Sequence, residues 1–173
     1  MSEGAAARRA LDILEIQGVI ATYSLGQDSH QSDDNILQEW DRAFAPEGTT
    51  DYSAAGAPVC HYRELATWMR GISGKPGRMS RYVGWQHMLS LPVIALSGDT
   101  AHSRTDYLAI HKLRSTERQV GQRFDACGAF HDDLIRTAAG WRIKHRRLEV
   151  YFGAAIDTQD EMAVRAARQS ERT

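Results

Sequence analysis

The sequence predicts an α+β fold, in which a cone-shaped, curved sheet of mixed but mainly antiparallel strands wraps around N-terminal helices and encloses a central apolar pocket. Two observations predict it. As far as residue 72, apolar residues recur mainly at helical spacing. From residue 82 onward the period changes to two, and long extended segments alternate with turn signals. Such a sheet can curl around the helices and leave a pocket closed at one end.

Length and composition are those of one globular domain. The chain has 173 residues, of which 42% are hydrophobic and 25% charged, which is enough for one sizeable core. We expect a single domain over 1–173, with its core at about 10–153 and a polar tail at 157–173. The formal net charge of −1 attracts neither nucleic acid nor anionic lipid, so neither is an expected partner.

Cysteine usage and hydropathy exclude several other classes of protein. Cys60 and Cys127 form no CxxC pair, so a disulfide framework or a cysteine zinc site is not expected. The N-terminal segment has no apolar region after its basic pair, and no apolar stretch reaches the length of a membrane span. We therefore expect a cytoplasmic protein. The basic segment 144–147 lies in an alternating pattern and is expected to form the solvated face of a strand.

The first predicted helix covers residues 8–27 and carries two neighbouring stripes. One stripe contains Ile13, Ile16, Ile20 and Tyr23, and the other contains Leu14, Gly18, Ala21, Leu25 and Asp28. Because the two stripes together span a wide arc, we expect the helix to be covered on more than one side. Asp28 is then expected to face inward, at or just beyond the helix end.

Two shorter helices are predicted before residue 73. The first begins near the N-cap candidates Ser32 or Asp33 and ends before Pro46, and a short strand at 50–52 follows. The second covers 62–72, where apolar residues recur at i, i+3, i+4 and i+7. The glycine-rich segment that follows, 73–78, is typical of an exposed turn.

The rest of the chain is predicted to form long strands. Turn signals at 97–99 and 138–140 separate them. The predicted segments are 83–96 with a break at Pro92, 99–113, 118–135 and 140–152. The polar tail can form a short helix over 161–168.

Two strand histidines and one carboxylate are the candidates for chemistry. His87 and His111 are roughly equidistant in sequence from the turn at 97–99, so the hairpin can place two imidazoles side by side. Burial and a carboxylate such as Asp28 shift the pKa of a histidine in opposite directions and can leave it near neutrality. Such a base can remove a proton next to a carbonyl, while an imidazole or tyrosine donates to the enolate. This chemistry needs no metal and no organic cofactor.

These residues can also have purely structural roles, and their spacing alone favours structural roles over an active site. A single strand histidine is more often structural than catalytic, and Asp28 can cap a helix or pair with an arginine. Tyr23 and Tyr52 are typical core aromatics. The other histidines lie in polar contexts and are expected to be solvated: His30, His61, His131 and His145.

Over about residues 10–153 the chain resembles the SnoaL-like and scytalone-dehydratase-like branch of the nuclear-transport-factor-2-like superfamily. The segments that carry the resemblance are Y-S-L-G-Q-D, F-A-P-E-G-T-T-D-Y, W-Q-H-M-L, Y-L-A-I-H and G-W-R-I-K-H-R-R, in this order. The resemblance implies the cone fold and a homodimer or homotrimer. The sheet face that the helices leave uncovered is the expected contact surface.

The resemblance also implies roles for the polar residues. In scytalone dehydratase the pocket holds an aspartate at the end of the first helix, two tyrosines and two strand histidines, and Asp28, Tyr52, His87 and His111 match four of them. His111, oriented by Asp28, would be the general base. His87 would assist proton transfer to the leaving hydroxyl, and Tyr52 would hold a water or the carbonyl oxygen. Tyr23, five residues before Asp28, has the spacing seen in bile-acid dehydratase relatives.

Two departures argue against scytalone itself as the substrate. Gln27 stands where scytalone dehydratase has its other tyrosine, and Gly128 and Phe130 stand where a polar pair is expected. The apolar wall of the pocket is expected to come from six residues: Trp40, Trp68, Met69, Trp85, Tyr107 and Phe130.

The expected function is therefore a cofactor-independent lyase of natural product biosynthesis. It would act as a dehydratase or polyketide cyclase on a hydrophobic polycyclic or polyketide-like small molecule, through histidine and aspartate acid–base catalysis. One alternative is a ketosteroid-isomerase-like double-bond isomerase. The other is a non-catalytic small-molecule-binding or assembly subunit, comparable to the small subunits of ring-hydroxylating oxygenases.

Overall fold

A computed structural model describes residues 2–29, 35–72, 75–114 and 122–157 of the chain. The helices in these ranges are α1 (Glu3–Ser29), α2 (Leu37–Ala43) and α3 (Tyr62–Arg70). The strands are β1 (Phe44–Asp51), β2 (Val59–His61), β3 (Gly71–Ile72), β4 (Lys75–Pro76), β5 (Tyr82–Leu89), β6 (Val93–Ser97), β7 (Thr100–Leu113), β8 (Gln122–Thr137) and β9 (Gly140–Asp157).

The main sheet is mixed, as predicted. Its strands follow the order β2-β1-β9-β8-β7-β5, and β6 also pairs with β7. Each pairing is antiparallel except that of β1 with β9, which is parallel. The sheet is curved and does not close, and the helices lie against it, so the predicted α+β cone is confirmed. β3 and β4 form a separate two-stranded ladder. The helix predicted over 62–72 therefore ends at Arg70, where β3 follows, and β4 lies in the segment predicted as an exposed turn.

The core lies between α1 and the concave face of the sheet. Ile16, Ile20 and Tyr23 of α1 are buried, as are Trp141 and Ile143 of β9, the strand that α1 packs against. α1 contacts both α2 and the sheet, as expected, but its second apolar stripe is not covered. Leu14 and Leu25 are 63% and 53% exposed, because a single face of the helix meets the sheet and its second apolar stripe points away from it.

Several predicted boundaries shift for identifiable reasons. The second helix ends at Ala43, and Pro46 lies within β1 instead of ending a helix. The register of β1 on β9 is irregular between Phe44 and Thr49, which frees the proline from the hydrogen-bond ladder that it cannot join. The predicted helix starts at Ser32 and Asp33, the start of β8 at 118–121, and the tail helix at 161–168 lie outside the described residues.

The strand hairpins form at the predicted turn signals. Gly98 and Gly140 adopt φ values of 60° and 96°, which suit glycine because it lacks a Cβ atom. The segment predicted as 83–96 divides into β5 and β6 on either side of Pro92. Among the described residues, no helix combines the length and the apolar character needed to cross a membrane. A homodimer or homotrimer stays a prediction.

One sequence expectation fails in β9 because of a bulge. Asp133 pairs with His145, and Leu134 pairs with Ile143, so Lys144 is an extra residue without a partner in the ladder. The bulge reverses which residues face inward. Arg146 is therefore fully buried, and the expectation that 144–147 forms only a solvated face is wrong.

Candidate active site

A cavity of about 310 Å³ lies between the helices and the concave face of the sheet. Seven of the sequence-predicted site residues line it: Tyr52, Trp68, Met69, His87, Tyr107, His111 and Phe130. Apolar side chains from β7, β8 and β9 complete much of its wall, among them Ala109, Phe124, Ala126, Leu148 and Val150. Its volume lies within the range of small-molecule binding sites.

Asp28 and His87 form a doubly hydrogen-bonded pair at the wall of this cavity. The last turn of α1 carries Asp28, and β5 carries His87. The Nδ1 atom of His87 lies 2.7 Å from Oδ1 of Asp28, and the backbone N–H of His87 donates to Oδ2, also at 2.7 Å. Because one carboxylate accepts both hydrogen bonds, it fixes the imidazole ring of His87 and the backbone of the same residue. Because a carboxylate accepts, Nδ1 carries the proton and Nε2 is left able to accept one.

His111 lies beside this pair but is not held by Asp28. In the antiparallel register of β5 and β7, His87 faces Ala109 and His111 faces Trp85, so the two histidines are diagonal neighbours. Their ring centroids are 5.6 Å apart and the rings are perpendicular. The Nδ1–H of His111 donates to the carbonyl of Phe124 at 3.2 Å. The expectation that Asp28 orients His111 is therefore wrong, and Asp28 orients His87 instead.

The environment keeps His111 neutral. Burial first, and then the neighbouring His87, lower the pKa of His111 to about 4, and the charge of Arg81 acts in the same direction. The Phe124 carbonyl and Asp28 oppose the shift without cancelling it. At neutral pH the ring of His111 therefore offers a lone pair on Nε2, as a hydrogen-bond acceptor, and does not act as an acid.

This lowered pKa predicts a loss of stability in acid. Between about pH 6.5 and 4 the unfolded chain binds a proton at His111 that the folded chain does not, so the free energy of unfolding falls as the pH falls. Across the whole window the loss is roughly 3 kcal/mol. Urea unfolding at several pH values should show it in the wild type and not in His111→Gln. If the free energy of unfolding changed with pH in the same way in both proteins, the lowered pKa of His111 would be contradicted.

The hydroxyl groups of Tyr23 and Tyr52 contact each other at the back of the cavity. The two hydroxyls form a short hydrogen bond, and of the two residues Tyr52 lines the cavity. Burial raises the pKa of both hydroxyls above their usual value. They therefore stay protonated at neutral pH, and Tyr52 can serve as a hydrogen-bond donor to a bound molecule.

An ion pair that sequence reasoning missed supports these tyrosines. Arg146 donates from Nε and Nη2 to the two oxygens of Asp132 at 2.6 and 2.7 Å, and both side chains are fully buried. The guanidinium lies 3.8 Å from the ring centre of Tyr23 and 4.5 Å from that of Phe130. The pair thus backs two aromatic rings of the site.

Two residues expected in the apolar wall do not line the cavity. Trp40 is fully buried, stacks on Tyr23, and donates from Nε1 to the carbonyl of Tyr23. Trp85 donates from Nε1 to the carbonyl of Gln27 at 2.7 Å, and Arg70 donates to the same carbonyl at 2.8 Å. These bonds hold the end of α1, and with it Asp28, against β5.

Gln27 itself is a lining residue that sequence reasoning had noted only as a departure from the family. Its side chain is buried, and Nε2 contacts the sulfur of Met69 at 3.9 Å. Its buried Oε1 has no hydrogen-bond partner within the described residues. An unpaired buried carbonyl is costly, so this oxygen is available to accept a hydrogen bond from a bound molecule.

Nothing in the described part of the chain gathers three or more histidine, cysteine, aspartate or glutamate side chains in an arrangement that suits a metal ion. The polar groups of the cavity are instead arranged for proton transfer. One imidazole is paired with a carboxylate, one is neutral, and a tyrosine hydroxyl can donate.

Sequence comparison places the chain in a family. The profile of the SnoaL-like domain matches residues 8–147. The chain belongs to the SnoaL-like family. The uncharacterized protein Rv2910c of Mycobacterium tuberculosis is 32% identical over 136 residues, which are 78% of this chain and 82% of that protein.

Solved structures share the fold of this SnoaL-like protein at low sequence identity. A protein from Novosphingobium aromaticivorans, proposed as a scytalone dehydratase, superposes with a TM-score of 0.65 at 17% identity, over 86% of this chain and 90% of that one. The hexachlorocyclohexane dehydrochlorinase LinA-type3 of Novosphingobium barchaimii gives 0.65 at 13% identity, over 88% and 92%. A Salmonella enterica protein of the nuclear transport factor 2-like superfamily gives 0.63 at 17% identity, over 82% and 92%. These structures show a shared fold, and the profile match confirms the predicted SnoaL-like family.

Proposed function

We propose that this SnoaL-like protein is a cofactor-independent lyase that eliminates water from a hydrophobic β-hydroxy carbonyl compound. The observation that carries the proposal is the Asp28–His87 pair at the wall of an apolar cavity, with the neutral His111 beside it. A buried, carboxylate-held imidazole is the group that abstraction of a proton next to a carbonyl requires. The polycyclic or polyketide-like character of the substrate follows from the aromatic lining.

In the proposed reaction, His87 acts first as a base and then as an acid. Its Nε2 removes a proton from the carbon next to the carbonyl, and Asp28 stabilises the imidazolium that forms. The hydroxyl of Tyr52, itself bonded to Tyr23, donates to the carbonyl oxygen as it becomes an enolate. When the enolate collapses, the C–O bond breaks, His87 returns the proton to the departing hydroxyl, and water leaves a conjugated double bond.

His111 is proposed to orient the leaving hydroxyl, and Gln27 is proposed to bind a second donor group of the substrate. The free Nε2 of His111 accepts a hydrogen bond from the substrate hydroxyl, which its lowered pKa allows at neutral pH. The unpartnered oxygen of Gln27 offers a second acceptor in the same cavity. Since a hydroxyl has a single proton to donate, Gln27 would accept from a different donor group of the substrate, and the acid role is left to protonated His87.

The names of two structural neighbours support elimination as the reaction type. One is proposed as a dehydratase and the other is a dehydrochlorinase, and both names denote the removal of a small molecule across a carbon–carbon bond. Polyketide cyclisation by the same base remains part of the proposal, because an enolate formed in the cavity can also attack a second carbonyl of a folded substrate.

A double-bond isomerase is the second candidate, and the Asp28–His87 pair favours it equally. If His87 returns its proton to another carbon of the enolate, the double bond moves and no water is lost. The two reactions differ in mass, because elimination lowers the product mass by one water and isomerisation leaves it unchanged.

The test is mass spectrometry in deuterated water with a panel of fused-ring β-hydroxy ketones and enones. Loss of water identifies the lyase, and a moved double bond, with deuterium uptake and no loss of water, identifies the isomerase. In either case we expect His87→Ala to lose at least about 10²-fold in rate. His131→Ala is the matched control, since that strand histidine pairs with Glu149 and does not line the cavity. Activity that survives in His87→Ala would reject the mechanism.

A further inference from the structure

The charged side chains that line the cavity are both cationic. Arg78 and Arg81 belong to the lining, while no aspartate or glutamate of the described residues does. Asp28 stands behind His87 and is engaged by the ring and backbone of that residue. A bound molecule therefore meets positive charge and no described negative charge.

The two arginines have no carboxylate partner within the described residues. Arg78 and Arg81 are the first and last residues of the short 3₁₀ helix that precedes β5, and both are exposed at the edge of the cavity. The guanidinium of Arg81 lies 4.8 Å from the ring centre of Tyr82 and donates to its hydroxyl. By contrast, Arg104 and Arg136 each have a carboxylate oxygen at 2.8 Å. Two guanidinium charges that no described carboxylate neutralises therefore lie close together, and the one on Arg81 also contacts Tyr82.

The charge of Arg81 reaches the proton-transfer groups, since it helps to lower the pKa of His111. The positive charge of Arg78 and Arg81 also extends outward from the cavity. Arg78 and Trp68 line a neighbouring surface groove together with Lys75 and Pro76. The apolar interior and the basic edge thus form one continuous surface, open to solvent on the basic side.

We propose that the substrate of this cavity carries an anionic group, a carboxylate or a phosphate, which binds Arg78 and Arg81 while its apolar body fills the interior. The inference rests on the proposed function in that it assigns the ligand of the same cavity. Guanidinium groups bind both anions in bidentate fashion. Two adjacent arginines without an internal carboxylate are best explained by an anion that arrives with the ligand.

Equilibrium binding separates this inference from the reaction. The probes are 2-naphthoic acid, 2-naphthyl phosphate and the neutral 2-naphthamide, measured by titration calorimetry with the wild-type protein at neutral pH. We expect at least one anionic probe to bind about tenfold or more tightly than the amide. Its affinity should fall as ionic strength rises, while that of the amide should not. The preferred anion distinguishes a carboxylate substrate from a phosphate-bearing one.

The double variant Arg78→Gln/Arg81→Gln should lose the preference and keep the affinity for the amide. Arg104 lies on β7 but does not line the cavity, so Arg104→Gln should keep both the preference for the anion and the affinity for the amide. The inference is overturned if the acid, phosphate and amide bind the wild type equally, if none of them binds, or if the preference survives in the double variant. Anion-selective binding together with no proton exchange in deuterated water would instead retain the anion site and reject the lyase.

Discussion

The Asp28→Asn variant is expected to lose about 10⁴-fold of the turnover rate while keeping its fold, as in other enzymes where a carboxylate sets the tautomer of a basic histidine. In the present structure one carboxylate oxygen accepts from the backbone N–H of His87 and the other from its Nδ1–H. An asparagine must keep its oxygen on the backbone N–H, so its amide nitrogen faces Nδ1. That nitrogen donates, the proton of the imidazole moves to Nε2, and the base can no longer accept a proton.

The tautomer gives this prediction a spectroscopic readout that a merely structural role would not change. Imidazole ¹⁵N shifts should report a protonated Nδ1 in the wild type and a protonated Nε2 in Asp28→Asn. Asp133→Asn is the matched control, because Asp133 pairs with Nδ1 of the exposed His102. The control should retain full turnover. A variant that retains most of its turnover, or that keeps the wild-type tautomer, would remove Asp28 from the mechanism.

Sequence pattern alone predicts the two histidines of this cavity. Strand alternation with the turn at 97–99 brought His87 and His111 to one face of a hairpin. The helix period put Asp28 on a stripe whose apolar members are exposed, and Asp28 reaches His87 only because it lies in the last turn of α1. These inferences depend only on periods of 3.6 and 2, which hold within a single element. Tyr52 and Tyr23 came from the family resemblance, because nothing in their spacing links two elements.

The family resemblance implied the wrong histidine as the partner of Asp28, which holds His87 and not His111. That choice depends on where the last turn of α1 lies along β5, and the carbonyl of Gln27 sets this position by accepting from Trp85 and Arg70. Contacts between distant segments of this kind leave no periodic signal. The same applies to Trp40, whose stripe predicted a buried ring but could not tell a cavity wall from the core.

Arg146 was missed for a different reason. The alternation K-H-R-R through 144–147 gives a solvated face only if the strand has no bulge, and the extra residue Lys144 changes which side chains face inward. An arginine among tryptophan, isoleucine and leucine in one strand was the available signal. Its partner Asp132 lies on the adjacent strand β8, in the register that pairs it with Arg146.

Removing one member of this buried ion pair is expected to have the largest effect on stability. Asp132→Ala should lower the free energy of unfolding by about 3–5 kcal/mol, because it leaves the guanidinium of Arg146 buried without its counter-charge. Urea unfolding followed by circular dichroism measures the loss. Asp106→Ala, which breaks the exposed pair with Arg104, is the control and should change stability by less than about 1 kcal/mol.

The double variant Asp132→Val/Arg146→Met distinguishes the electrostatic contribution of the pair from its packing. If the loss in Asp132→Ala comes from an uncompensated charge, removing both charges should recover most of it, since an apolar pair of similar volume is often no less stable. The hydroxyl of Ser103, which donates to Asp132 at 3.3 Å, loses its acceptor and should leave a deficit of about 1 kcal/mol. A double variant as unstable as the single would show that Arg146 stabilises the fold through its contacts with the rings of Tyr23 and Phe130. In that case the same substitution should also reduce turnover, because Tyr23 holds the hydroxyl of Tyr52.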